Sequence, residues 1–172
     1  MHKRASMLGA VTGAMLGAVT GAVVGLVAIT PASGFAAPGT SMVLGAVASC
    51  ICYLFVTKVK NRFGYDDTLD VFGVHCIGGI VGALGTAIVA SPALGGQGWF
   101  DYTVNPAVPG AYDMAGQLLT QAKAVGVTLL WSGGISALLF VGIDKLIGLR
   151  PSADIEREGL DINEHGERAY TL

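Results

Sequence analysis

One histidine stands in an apolar, glycine-rich stretch of the sequence. His75 follows an acidic turn at residues 66–70, and the stretch 71–90 has no other ionisable group except the thiol of Cys76. A charged group near the centre of a bilayer costs about 2.5 to more than 10 kcal/mol, so we expect a neutral imidazole. A neutral imidazole has one donor and one acceptor, which can order a polar guest or relay a proton. The structural alternative is a hydrogen bond to a neighbouring helix. An ionisable group within a membrane span favours the functional interpretation.

Three aspartates, Asp66, Asp67 and Asp70, precede this histidine. Asp70 lies directly before the apolar stretch, where helix N-cap residues occur, so we predict that it caps this helix. Asp66 and Asp67 would then be solvated residues of the turn. The functional alternative is a negatively charged vestibule that concentrates cations.

The other candidate motifs indicate packing rather than chemistry. Gly79, Gly82 and Gly85 have the spacing of a nucleotide-binding glycine loop, but no strand precedes them, and helix packing explains them better. The cysteines lie in apolar stretches without a CxxC pair and are predicted to be small apolar side chains: Cys50, Cys52 and Cys76. The sequence shows no nucleophile–base arrangement, metal cluster or basic nucleic-acid face. We therefore predict a protein that is not an enzyme, needs no cofactor or metal and binds no nucleic acid.

The composition identifies the elements that must position these residues. Of the 172 residues, 52% are hydrophobic and only 13% are charged, and no Asp, Glu, Lys or Arg lies between Arg4 and Lys58. A bilayer span needs about 20 apolar residues, and no soluble core of this size needs such a long run. The sequence predicts an all-α integral membrane protein with four transmembrane helices, at about 5–30, 40–57, 71–90 and 112–148. Residues 150–172 form a soluble tail.

The N-terminal segment also imitates a secretory signal peptide, because His2-Lys3-Arg4 precedes an apolar run that ends in small residues. Signal peptides have apolar regions of up to about 15 residues. The charge-free run at 5–30 is longer than that, so a transmembrane helix is the better interpretation.

Glycines recur every fourth residue in the first predicted span. The octapeptide at 7–14 is repeated without change at 15–22, and the third predicted span has a second glycine pair. Such spacing lets a neighbouring helix approach closely in lipid. The alternative for the repeat is a duplication that merely lengthens the span. The predicted packing residues are Gly9, Gly13, Gly17, Gly21, Gly25, Gly78 and Gly82.

The lysines and arginines predict the orientation in the membrane. Apart from Lys123 in the fourth span, they precede the first span, lie between the second and third spans, or lie at or beyond the end of the fourth, whereas the other two loops contain none. Four spans alternate sides, so all basic clusters fall on one side. By the positive-inside rule, both termini are cytoplasmic.

The motif Tyr65-Asp-Asp-x-x-Asp-Val-Phe-Gly-Val-His75, followed by Gly78-Gly79-Ile-Val-Gly-Ala83, strongly resembles the ammonium transporter (Amt/Mep/Rh) family. The similarity extends from Gly25-Leu-Val-Ala-Ile-Thr-Pro-Ala32 to the tail at 156–170. The resemblance implies a trimeric transporter in the plasma membrane, with eleven spans and one narrow apolar pore per subunit. It further implies that two histidines face one another in each pore and that His75 is the second of them.

The resemblance also implies roles for other residues. The cytoplasmic end of the pore and substrate pathway would comprise Asp67, Asp70, Val71 and Phe72. The tail would be a regulatory region that couples subunits and binds PII-type signalling proteins, with the matching residues Glu156, Arg157, Gly159, Asp161 and Tyr170.

The chain departs from the family pattern in its duplicated octapeptide, which is extra and lengthens the first span, and in the number of its spans. Its four spans correspond to spans eight to eleven, a partial ammonium-transporter helical bundle, and the first pore histidine and the phenylalanine gate have no counterpart. We expect the C-terminal part of a subunit that transports ammonium or ammonia. The alternative is a truncated, non-transporting membrane fragment that associates with full-length subunits or with a regulatory partner.

Overall fold

The computed structural model describes residues 17–101, 108–109 and 111–167. The chain divides into two compact units, Met1–Gly126 and Val127–Leu172. Of the predicted packing glycines, Gly9 and Gly13 lie outside the described residues, as does Tyr170 of the tail.

Three helices account for most of the packing in the first unit. Helix α1 is described over Gly17–Ala32, and the N-terminal part of the predicted first span lies outside the described residues. It ends in a tight 3₁₀ turn, Thr30–Ala32, at Pro31, whose ring cannot continue a helix. Helix α2 runs over Pro38–Phe63, with Pro38 in the first turn, where its missing N–H costs nothing.

Helix α2 extends past the predicted end at residue 57. It ends at Gly64, which adopts the left-handed conformation with φ 63° that commonly closes helices. Helix α3 follows over Phe72–Val89. A 3₁₀ turn at Pro92–Leu94 and a two-residue antiparallel pairing of Phe100–Asp101 with Val108–Pro109 lead to the next helix.

Helix α4 is the longest, at Met114–Leu146, and none of its residues is buried in the described structure. An apolar face needs no protein partner when lipid surrounds it. The tail contains two short helices, α5 at Ala153–Glu158 and α6 at Leu160–His165.

Helices α2, α3 and α4 are long and apolar enough to cross a membrane, and α1 is a shorter apolar helix over its described part. The prediction of an all-α membrane protein is therefore confirmed.

Small side chains hold α1, α2 and α3 together. One buried cluster contains Val24 and Ala28 of α1, Ala48 and Cys52 of α2, and Val74 of α3. A second cluster comprises Ala32, Leu44 and Val89. Close packing in lipid depends on van der Waals contact and interhelical hydrogen bonds, for which small residues are suited.

The glycines differ in how closely another helix approaches them. The site of a Cβ atom on Gly45 lies 3.6 Å from the Cα atom of Gly25, and the Ser49 hydroxyl donates to the Gly21 carbonyl at 3.2 Å. The backbone of α1 is thus approached by α2. A Cβ at Gly17, Gly21 or Gly25 would nevertheless meet no atom within 4 Å, so no described neighbour requires glycine there.

Candidate functional site

The start of α3 is organised by the carboxylate of Asp67. One oxygen, Oδ1, accepts from the amide of Val71 at 2.7 Å, and Oδ2 accepts from those of Phe72 and Gly73 at 3.0 and 3.4 Å. The first amides of a helix have no partner within the helix, and they attract negative charge. Asp67 therefore caps α3.

The prediction that Asp70 caps this helix is wrong. Asp70 has φ 54°, the left-handed conformation, and is the one non-glycine residue with positive φ in the described part of the chain. Its side chain turns to α2, where Lys60 Nζ lies 2.7 Å from Oδ1. The amide of Asp70 donates to the carbonyl of Asp67 at 3.0 Å, and within this turn the carboxylate of Asp67 reaches the first amides of α3.

The first turn of α3 is widened into a π-helical turn at Phe72–Cys76, in which the amide of Ile77 donates to the Phe72 carbonyl five residues back. Helix α2 contains a second π turn at Phe55–Val59. π turns are rare and frequently occur at functional sites.

The two π turns pack against each other where Val56 approaches Gly73. A Cβ atom on Gly73 would lie 2.6 Å from Cγ2 of Val56, so the absence of a side chain at Gly73 allows this approach. His75 belongs to the π turn of α3 and therefore lies in the most irregular part of that helix.

The predicted pathway residues at the start of α3 are all exposed. Val71, Phe72 and His75 are exposed, whereas Gly73 and Val74 are buried toward the other helices. Phe72 also packs edge-on against Tyr65, with ring centroids 5.5 Å apart. The imidazole of His75 is thus presented on the part of α3 that the described residues leave uncovered.

A groove of about 630 Å³ lies between α1, α2 and the start of α3, and sequence reasoning did not anticipate it. Its walls include Val24, Cys52, Tyr53 and Val74, and Asp70 also lines it. His75 is not among its lining residues. The structure therefore brings Asp70, but not His75, to this groove.

The candidate regulatory residues that the structure describes lie on the two tail helices or, for Gly159, between them. The amide of Ile155 donates to Oγ of Ser152 at 3.4 Å, an N-cap of α5, and Glu156 pairs with Arg150 at 3.0 Å. Arg157 lies in α5 and Asp161 in α6, on either side of Gly159. The tail is thus a short, capped helical segment with a glycine at its bend.

Comparison with known proteins gives consistent matches. The family model described as Ammonium Transporter Family matches residues 7–170. An ammonium transporter of Aquifex aeolicus is 43% identical over 86% of this chain and 32% of its own length. A putative ammonium transporter of Methanothermobacter thermautotrophicus is 41% identical, over 98% of this chain and 38% of its own.

An ammonium transporter of Bacillus subtilis is 36% identical over 99% of this chain and 38% of its own length. The chain thus spans somewhat more than a third of the length of most of these curated relatives, and about a third of the Aquifex protein.

Proposed function

The chain belongs to the ammonium transporter family, and from this premise we propose that it transports ammonium or ammonia through an apolar pore containing His75, as the C-terminal part of a transporter subunit. Membership of a transporter family also makes it a membrane transport protein rather than an enzyme.

The observation that carries this proposal is the position of His75. It is exposed on an apolar helix whose buried side, at Val74 and Gly78, faces α1 and α2. An imidazole is costly to retain at membrane depth unless it has a partner or a function. The uncovered side of α3 is therefore available to line a pathway together with further helices of a subunit.

The chemistry of the imidazole suits ammonia. In its neutral form it offers one donor and one acceptor to a small polar molecule that has both, and it can pass a proton between its two nitrogens. Val71 and Phe72 nearby in the sequence are apolar, and a pathway lined by apolar side chains would hold little water, which strengthens any polar contact made there.

Asp67 and Asp70 have a different part in this proposal. The charge of Asp67 faces three helix amides, and that of Asp70 faces an ammonium group. Both carboxylates are therefore engaged in shaping the cytoplasmic end of the pathway rather than being free to concentrate cations.

The transport proposal is tested by reconstituting this chain into liposomes together with the further helices of a subunit. An ammonium pulse should produce a flux that His75→Ala changes in size or in selectivity for ammonium over methylammonium. The variant His165→Ala is the matched control, because that histidine lies in the tail helix α6. Unchanged flux in His75→Ala would overturn the pore role.

A second candidate is a non-transporting membrane component that associates with full-length subunits or a regulatory partner. Co-purification with a full-length ammonium transporter, together with no flux from this polypeptide alone, would support it. Flux from the polypeptide alone would exclude it.

We further propose that the subunit is part of a homotrimer in the plasma membrane, with both termini cytoplasmic, and that residues 151–172 bind a PII-type signalling protein. The paired charges and capped helices of the tail are accessible to such a partner. Deletion of residues 151–172 should abolish capture of the PII-type protein. Undiminished capture would remove the regulatory assignment.

A further inference from the structure

Lys60 makes two contacts with the acidic turn before α3. Its ammonium group donates to the main-chain carbonyl of Asp67 and to Oδ1 of Asp70 at 2.7 Å. The side chains of Lys60 and Asp70 are only 25% and 28% exposed. Shielding from water makes such a charge-assisted pair stronger than a fully exposed surface pair.

The two contacted residues are those that shape the start of α3. Asp67 caps the helix, and Asp70 holds the left-handed conformation that brings the cap into place. This conformation is uncommon for a residue other than glycine, although aspartate tolerates it better than most, so contacts of the Asp70 side chain help to hold it. Lys60 is the side chain that holds both.

The π turn in α2 explains why Lys60 can reach this turn. Lys60 follows Phe55–Val59 directly, and its own amide donates to the Phe55 carbonyl five residues back. The extra residue in a π turn displaces the following side chains by about 100° around the helix axis relative to an uninterrupted α-helix. The widened turn thereby aims Lys60 at Asp70.

Contact between the π turns completes the arrangement. Val56 of the first π turn packs where Gly73 of the second has no side chain. Residues 55–60 of α2 are thus connected to residues 67–73 by an apolar contact at Gly73 and by the polar contacts of Lys60.

We propose that Lys60 is a positioning residue, which locks the turn at Asp67–Asp70 and thereby fixes the π turn that presents His75. The structural part of this proposal stands on the contacts of Lys60 alone. The relevance of the fixed imidazole for conduction rests on the proposed function.

The test measures local structure in the full chain, reconstituted in lipid nanodiscs. Hydrogen–deuterium exchange of the amides at 71–76 reports the cap and the π turn, and the amides at 82–89 of the same helix are the internal reference. Lys60→Met should accelerate exchange at 71–76 by roughly tenfold, with little change at 82–89, because a charge-assisted contact is lost only at the start of the helix. The ¹⁵N resonances of the His75 imidazole should shift in the same variant.

Two further variants separate positioning from general stability. Lys60→Arg keeps the charge and the donors and should restore slow exchange and the His75 resonances. Lys58→Met removes the same charge two residues earlier and should leave both readouts unchanged. Because Lys60 and Asp70 act through one pair, Lys60→Met with Asp70→Ala should accelerate exchange less than the product of the single effects.

Equal acceleration at 71–76 and 82–89 would overturn the proposal, as would unchanged exchange in Lys60→Met or failure of Lys60→Arg to restore it. Liposome flux separates the two hypotheses. If the exchange pattern follows Lys60 but His75→Ala leaves flux unchanged, the positioning role stands and the pore role fails. If His75→Ala alters flux but Lys60→Met changes neither exchange nor the resonances, the pore role stands and the positioning role fails.

Discussion

Helices α1 and α3 cross at Ala28 and Gly82, where a methyl group added to Gly82 would overlap the carbonyl of Ala28 and lie 2.9 Å from its Cα atom. Ala28 is fully buried at this crossing. The obstruction is backbone rather than the end of a flexible side chain, so it cannot move aside without separating the helices.

The substitution Gly82→Ala should therefore destabilise the described bundle, by about 1–3 kcal/mol, the usual cost of overpacking. Gly79→Ala in the same helix is the matched control, since a Cβ there meets nothing within 4 Å. The free energy of unfolding in detergent micelles, followed by circular dichroism during titration with SDS, measures both. Equal stability of the two variants would contradict the close approach of Gly82 to the backbone of Ala28.

The glycine pattern shows how far the sequence predicts this packing. Spacing of four residues identified Gly78 and Gly82 as one face of α3, because helical periodicity is a local property. It could not distinguish Gly82, which touches backbone, from Gly21, beside which a methyl group has open space. That difference depends on where two helices cross, which residues distant in sequence decide.

The start of α3 was predicted less well, for a related reason. The residue next to the apolar stretch is the obvious cap, but Asp70 adopts a left-handed conformation and pairs with Lys60 of another helix. The two π turns likewise lie where these helices contact each other, at Val56 and Gly73. Neither feature has a local sequence signal, whereas the apolar character and approximate position of the helices do.

Removal of the Asp67 carboxylate should destabilise the first turn of α3. Asp67→Ala leaves the amides of Val71 and Phe72 without their acceptor, at a cost of about 0.5–2 kcal/mol. Asp67→Asn keeps an acceptor and should lose less. Exchange rates of the amides at 71–73 are the measurement.

The control for the cap is Asp66→Ala, which removes the neighbouring carboxylate, an acceptor of the Thr68 hydroxyl. It should leave the amides at 71–73 slow. Similar acceleration in the Asp66 and Asp67 variants would show that general negative charge, rather than a specific cap, protects them.

The loop before α4 is tied to the end of α3 by Tyr112, whose hydroxyl donates to the Ala87 carbonyl at 2.7 Å. Tyr112→Phe should lower the free energy of unfolding by about 0.5–1.5 kcal/mol, the net value of one hydrogen bond. Tyr53→Phe is the control, because Tyr53 is 66% exposed. A decrease in unfolding free energy no greater than that of the control would contradict a stabilising role of this hydrogen bond.

The burial of the Tyr112 hydroxyl predicts a pH dependence of stability. Burial raises the pKa of Tyr112, so the folded state retains the hydroxyl proton more strongly than the unfolded state does. Its contribution to stability is therefore constant below the ordinary tyrosine pKa of about 10 and decreases as the pH rises above it. The difference in unfolding free energy between the wild type and Tyr112→Phe, measured from pH 8 to 11, should shrink toward the alkaline end. A difference that grows with pH would contradict this assignment.

The bend between α5 and α6 requires glycine because of the backbone conformation at Gly159. Gly159 has φ 108° and ψ 131°, close to a region that essentially only glycine occupies, and a Cβ there would lie 2.7 Å from Oδ1 of Asp161. Gly159→Asn should therefore cost about 1–3 kcal/mol of local stability and accelerate amide exchange across 153–165. Gly64→Asn is the matched control, since Gly64 has φ 63° and ψ 26°, a left-handed conformation that asparagine tolerates. Exchange around residue 64 should change little.

If the tail binds a PII-type protein through this bend, Gly159→Asn should also weaken capture of that protein. Full capture together with accelerated exchange would place the binding surface elsewhere in the tail.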